Sequence, residues 1–225
     1  MNRPSSIRAE LRSAAEVKDV ELFARDNLPL GTRSWALPGS PIASGVALIN
    51  AGAGIAGGYY DGFAAFFAES GIPTLVYDYR GIARPRPSPL RGFQTSVEEW
   101  RSKDCAAALQ WLSDRYPGAR RIVVGHSIGG LVTGFVTNAA LIDQMLLGGA
   151  HTGYWRNYAA GARPFMFLLW HTAMRVVTRV VGYFPGRRLR LLEDLPKGVA
   201  LEWAARRTQS SGGTFDRPTV RLARG

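Results

Sequence analysis

The stretch Arg121-Ile-Val-Val-Gly-His-Ser-Ile-Gly-Gly-Leu131 decides how this chain folds. Arg121 to Val124 have strand character, Gly125-His-Ser-Ile-Gly129 forms a sharp turn, and Gly130 to Asn138 is compatible with a helix. In a G-x-S-x-G turn the apex serine takes a strained backbone conformation, and only small residues two before and two after it let strand and helix pass so closely. Ser127 is therefore the candidate nucleophile, with Gly125 and Gly129 as the elbow glycines. Because the pentad also occurs by chance in glycine-rich chains, its weight comes from the strand before it and the helix after it.

Working outward, Gly45-Val-Ala-Leu-Ile-Asn50 is a short apolar run bounded by turn residues, as in a strand buried on both faces of a parallel sheet. The loop after it, Gly52-Ala-Gly-Ile-Ala-Gly57, suits two chemistries. With Asp78 at the end of the next strand it satisfies the G-x-G-x-x-G dinucleotide fingerprint, which would make the chain an NAD(P)-binding oxidoreductase. As a loop beside the serine turn, it would instead aim a backbone N–H at a developing oxyanion.

A helix over Tyr59 to Glu69, with Tyr59, Phe63, Phe66 and Phe67 near one face, leads into a buried strand, Ile72 to Tyr77. Ser96 and Glu99 form a capping box for a helix running to about Tyr116, and Val97, Trp100, Cys105, Ala108, Leu109 and Leu112 face the sheet. Gln144 to Gly148 is a further buried strand. Strand and helix alternating in this rhythm give right-handed parallel crossovers, hence an α/β fold with a mostly parallel sheet and helices on both faces. Val17 to Ala24 and Thr32 to Leu37, separated by Asp26-Asn27 and Pro29, add an N-terminal hairpin.

The segment from about Val46 to Ala150 resembles the α/β-hydrolase fold, specifically the lysophospholipase, monoglyceride-lipase and serine aminopeptidase (S33) branch. The residues that carry the likeness are Asn50-Ala-Gly-Ala-Gly54, Tyr60, Tyr77-Asp-Tyr-Arg-Gly81 and Gly125-His-Ser-Ile-Gly-Gly130. Where the family begins its first loop with His-Gly, this chain has Ala51-Gly52, which removes a side chain and keeps the backbone amide. The resemblance implies that the N–H groups of Ala53 and Ile128 form the oxyanion hole and that Ser127 attacks an acyl carbon of an ester, thioester or amide. It favours the hydrolase reading of the glycine loop over the dinucleotide one.

The family's order is serine, acid, histidine, and the chain has three histidines. His126 adjoins the serine, His171 sits in an apolar helical run, and His151 lies just past the strand ending at Gly148. His151 is thus the candidate base, with Asp78 as an orienting acid. No histidine follows residue 171, and the two strands that would deliver the family's acid and histidine are not recognisable. The expectation is a chain whose last strands are missing, either an impaired hydrolase or a hydrolase-fold remnant that binds an apolar ligand or partner.

The expected organisation is a flexible leader over 1–16, a core over 17–152, a helical cap over 153–204 and a basic disordered tail over 205–225. Arg163 to Phe184 approaches the length of a membrane span but is interrupted by His171, Arg175 and Arg179, so it reads first as a cap over an acyl pocket and second as a membrane-surface contact. The 225 residues carry 28 basic and 17 acidic side chains, a net charge of +11. The arginines are spread along the chain without a nucleic-acid module, so no nucleic-acid partner is expected. One cysteine and no recognisable secretory leader point to a cytoplasmic protein. No cofactor or metal is expected, and the oligomeric state is left open.

Overall fold

The computed structural model describes residues 14–39, 41, 45–84, 89–150 and 153–205. The leader expected over 1–16 and the tail over 205–225 fall almost entirely outside them.

Strands β1 (Glu16–Asp19), β4 (Thr32–Ala36), β5 (Val46–Asn50), β6 (Thr74–Tyr77), β7 (Arg121–His126) and β8 (Gln144–Gly148) make one sheet in the order β1-β4-β6-β5-β7-β8. The first two strands pair antiparallel and the last four parallel. The small hairpin β2 (Leu22–Phe23) and β3 (Pro29–Leu30) sits between β1 and β4 in sequence. All five residues of β5 are buried, as a strand covered on both faces requires. The first crossover runs from β5 to β6 on one side and the next continues to β7 on the other side of β5. The carboxyl ends of β5 and β7 therefore flank a switch in strand order, the place where open α/β sheets hold ligands.

Helix α1 (Asp61–Glu69) contacts β4 and β6. Its buried residues are Ala64, Ala65 and Ala68, while Tyr59 is 75% exposed and Phe66 also faces outward. Short alanine side chains let the helix axis lie close to the sheet, which leaves Tyr59, Phe63 and Phe66 outside while Phe67 packs partly buried against the core. Helix α2 (Val97–Glu99), a π-helical turn Trp100–Cys105 and α3 (Ala106–Arg115) form one continuous helical run, capped by Ser96, whose hydroxyl accepts the Glu99 N–H at 3.1 Å. The six residues expected to face the sheet are all buried. Cys105 is a core residue whose thiol burial pushes up to about 11.

Helix α4 (Ile128–Gly134) follows β7 directly. The strand reaches two residues further than its apolar run, and the helix begins earlier and ends sooner than the sequence indicated. The cap holds α5 (Arg163–Met166), a π-helical segment Phe167–Ala173, α6 (Met174–Val181), the two-residue strands β9 (Tyr183–Phe184) and β10 (Leu195–Pro196), and α7 (Lys197–Ala205). Among the described residues no strand pairs with the outer side of β8, where Leu146 and Leu147 are about half exposed. No described helix is long and apolar enough to cross a membrane.

Candidate functional site

Ser127 stands between β7 and α4 with φ 54° and ψ −118°, outside the regions that L-residues ordinarily populate. Holding it there costs on the order of 1–3 kcal/mol, a strain that the surrounding contacts must offset. Two observations show how. The Ser127 N–H donates to Gly148 O at 2.9 Å, extending the β7–β8 pairing past the strand end. The glycines allow an approach that no other residue would: a Cβ on Gly129 would lie 2.2 Å from Asn50 O, and one on Gly125 would lie 2.7 Å from the Gly130 Cα. The steric argument from the pentad therefore holds atom by atom.

Beneath the turn lies a buried polar cluster that links three elements. Asn50 Nδ2 donates to Thr133 Oγ1 at 2.7 Å and Thr133 donates on to Gly129 O at 2.7 Å. Tyr77 donates its hydroxyl to Asn50 Oδ1 at 2.6 Å. The ends of β5 and β6 are thereby fastened to the first turn of α4. Its members lie far apart in the chain, and the only sequence signal was a polar Asn50 closing an otherwise apolar strand.

The glycine loop faces this turn. The Gly52 N–H donates to the Tyr60 hydroxyl at 2.9 Å, and that hydroxyl is 2.7 Å from His126 Nδ1. A phenol that accepts from an amide keeps its own proton available, so it can donate to Nδ1 of the imidazole. Burial raises the Tyr60 pKa, which keeps the hydroxyl protonated for this role. Tyr60 thus clips the loop after β5 to the residue before Ser127. The sequence placed His126 next to Ser127 but gave Tyr60 no role at the site; the pairing of a tyrosine with a histidine 66 positions away has no local signature.

Gly57 N–H donates to Asp78 Oδ1 at 2.6 Å, and burial raises the pKa of that carboxyl. Asp78 therefore closes its own loop. The Gly52 and Gly57 amides are thus both engaged within the protein.

A cavity of about 410 Å³ opens above Ser127, within the usual range for small-molecule sites. The core supplies Ala53, Ile55, His126, Ser127 and Gly149 to its wall; the cap supplies Tyr158, Trp170, Met174, Leu192, Leu195 and Trp203. Its lining is mostly apolar, with Ser127 and His126 on the floor. Ala53 borders the cavity. Ile128, fully buried, is the first residue of α4, and its N–H is one of the helix's unpaired leading donors. The Glu193 N–H donates to Gly54 O at 2.7 Å, joining the cap to the glycine loop.

Of the three histidines, His126 is held by Tyr60, and His171 donates Nδ1–H to Ala204 O at 2.7 Å within the cap. His151, the expected base, lies outside the described residues. Behind the site, Arg80 is a buried hub. Its backbone N–H and Nε donate to Asp104, and its two terminal nitrogens pair with Asp26 at 2.8 and 2.7 Å. Desolvation pushes the Asp104 carboxyl up to about 7 against the pull of Arg80, whereas Arg80 and Lys103 hold Asp26 below the usual carboxylate range. The described residues contain no cluster that could hold a metal ion.

A sequence model of the family described as serine aminopeptidase, S33, matches residues 42–207. Among solved structures the chain is similar to an α/β-hydrolase, GrgF, from Penicillium sp. sh18, at 18% identity and a TM-score of 0.57 over 84% of this chain and 73% of that one. It is similar to the hypothetical protein PA2218 from Pseudomonas aeruginosa at 14% identity and a TM-score of 0.56, over 89% and 74% of the two chains. It is also similar to brefeldin A esterase, a bacterial homologue of human hormone-sensitive lipase, at 15% identity and a TM-score of 0.51, over 91% of this chain and 53% of that one. The chain therefore spans between about half and three quarters of these structures. A comparison with curated protein sequences gave no match.

Proposed function

Since this chain belongs to the serine aminopeptidase (S33) family of α/β-hydrolases, we propose that it is a serine hydrolase that cleaves an ester, thioester or amide of an apolar acyl group. The observation that carries the reading is the Ser127 backbone, strained to φ 54° at the floor of an apolar cavity and held by glycines that admit no substitute. Strain of this kind presents the side chain away from both flanking elements, toward an incoming carbonyl.

In the proposed reaction the Ser127 Oγ bonds to the acyl carbon while its proton passes to a base. The carbonyl oxygen becomes an oxyanion held by the Ala53 and Ile128 N–H groups. Collapse of the tetrahedral intermediate expels the alcohol, thiol or amine, which leaves with that proton, and water then releases the acid from the acyl-serine. His151, the first histidine past β8, is proposed as the base.

A second reading is a hydrolase-fold protein that binds an apolar ligand without turning it over. One observation favours it: among the described residues neither His126, paired with Tyr60, nor His171, paired with Ala204 O, is hydrogen-bonded to the Ser127 hydroxyl. Labelling with a fluorophosphonate probe separates the readings. Labelling of the parent chain that is lost in Ser127→Ala and in His151→Ala is the result expected of the hydrolase. Loss in Ser127→Ala alone keeps the nucleophile and rejects His151. A folded parent chain that does not label supports the binding protein.

A further inference from the structure

Between Asp143 and Glu193 the chain runs for 49 residues without a carboxylate side chain, yet that stretch contains seven arginines, at 156, 163, 175, 179, 187, 188 and 190. The cap is built largely from this stretch, and its outer side is apolar. Phe165, Leu168, Val176 and Val180 are between 56 and 74% exposed, while Thr178 and Met174, the latter lining the cavity, are buried on the opposite side of the same helical run. The outward residues Leu168, Thr172, Val176 and Val180 recur every four positions. A four-residue step overshoots an α-turn and undershoots a π-turn, so the π-helical segment Phe167–Ala173 followed by α6 keeps them in one line.

Basic and aromatic groups border this stripe. The Arg156 guanidinium lies 5.0 Å over the Trp155 ring, and Trp155 packs edge-on against Phe167 at 5.3 Å. Arg163 and Arg179 are exposed, and the turn Arg187–Leu191 exposes three arginines and two leucines, Arg187 pairing with Glu193. Arg175 alone turns inward, donating to Ala204 O at 2.6 Å. Exposed apolar residues aligned on one face and rimmed by basic groups are the usual mark of an interaction surface.

We propose that this outer face of the cap docks on an anionic lipid surface, lying in the headgroup region with its apolar stripe inserted. Charge identifies the occupant. A second copy of the chain would bring the same arginine-rich face, drawn from a stretch with no carboxylate of its own, and the same net charge of +11, so like would meet like, whereas an anionic bilayer offers both the negative charge and the apolar layer beneath it. No described helix can span a membrane, which leaves contact along the surface. Trp170 and Met174, from the same helical run, line the cavity above Ser127, so docking places that cavity beside acyl chains. The surface does not depend on the chemistry assigned to Ser127.

The test is co-sedimentation of the full chain with phosphatidylcholine vesicles and with vesicles of phosphatidylcholine and phosphatidylglycerol in equal parts. The expected result is pelleting with the mixed vesicles only, weakening as salt is raised. Arg163→Gln with Arg179→Gln lowers the partition roughly 30-fold, at about fivefold per basic residue. Val176→Glu with Val180→Glu lowers it at least as far, and Phe66→Glu on α1 leaves it unchanged, with circular dichroism confirming that each variant is folded. Absence of pelleting with mixed vesicles at low salt, equal pelleting with phosphatidylcholine alone, or an equal loss from Phe66→Glu would each overturn the proposal. So would a dimer in sedimentation velocity that Val176→Glu/Val180→Glu breaks while the parent chain does not pellet, which would assign the face to a second copy.

Discussion

Ser127, Tyr60 and Gly129 set the site at the level of single side chains, and each predicts a different failure. Replacing Gly129 by alanine puts a methyl group 2.2 Å from Asn50 O, a backbone atom that cannot move aside without breaking the β5 register. The expected cost is about 3 kcal/mol, the upper end of overpacking penalties, read as a lower urea midpoint. Tyr60→Phe keeps the ring and removes the hydroxyl that joins Gly52 to His126. The loop that carries Ala53 then loses one hydrogen bond of ordinary strength, and labelling of Ser127 by the fluorophosphonate slows about 10-fold while the thermal midpoint changes little. A Tyr60→Phe protein that labels at the parent rate would show that the clip has no part in aligning the loop. The elbow was legible in the sequence because its causes are local: two glycines, a serine and the apolar runs on either side. The Tyr60–His126 contact was not, because it arises only when α1 and β7 are brought to the same sheet edge.

Among the elements, the helical run from α2 to α3 carries the clearest electrostatic signature. Asp104 and Asp26 face the same guanidinium and shift in opposite directions, so their contributions to stability have opposite signs. The Asp104 pKa is raised to about 7 in the fold, so over the range from about 4 up to 7 the folded state binds a proton that the unfolded state has released, and through this group stability falls as pH rises. Asp26 is shifted down; its stabilising pairing is present above about pH 4 and is lost as pH falls below it. The stability difference between the parent and Asp26→Asn, followed by urea melts across pH, therefore narrows in acid. Asp104→Asn removes the declining slope between about pH 4 and 7. Replacing Arg80 with methionine leaves the buried Asp104 without its partner and costs about 3–5 kcal/mol at neutral pH. The run's existence, its Ser96 cap and its buried face were all readable from periodicity and capping chemistry. The π-turns at Trp100–Cys105 and Phe167–Ala173 were not, since the extra residue in a turn is decided by what the helix packs against. Which side of α1 is buried was open in the sequence, since the distance between helix and sheet decided for its alanines.

At the scale of the whole molecule, β8 is the exposed margin of the sheet. Leu146 and Leu147 are about half exposed on a strand with no described partner on its outer side. An apolar strand edge of this kind is a template for pairing between molecules. Leu147→Lys is expected to raise the concentration at which the protein self-associates, measured by light scattering, without altering the labelling of Ser127. The α/β architecture and its parallel crossovers followed from the sequence because parallel strands announce themselves as continuous apolar runs, although β8, read as buried from the same pattern, is largely exposed. The short pair β9–β10 and the way the cap folds back on the core depend on contacts that no local pattern encodes.

The hydrogen bond from the Glu193 amide to Gly54 O gives the cap and the glycine loop a common hinge point. Any movement of the cap away from the core must first break that bond, so the setting of the glycine loop and the roof over Ser127 answer to one contact.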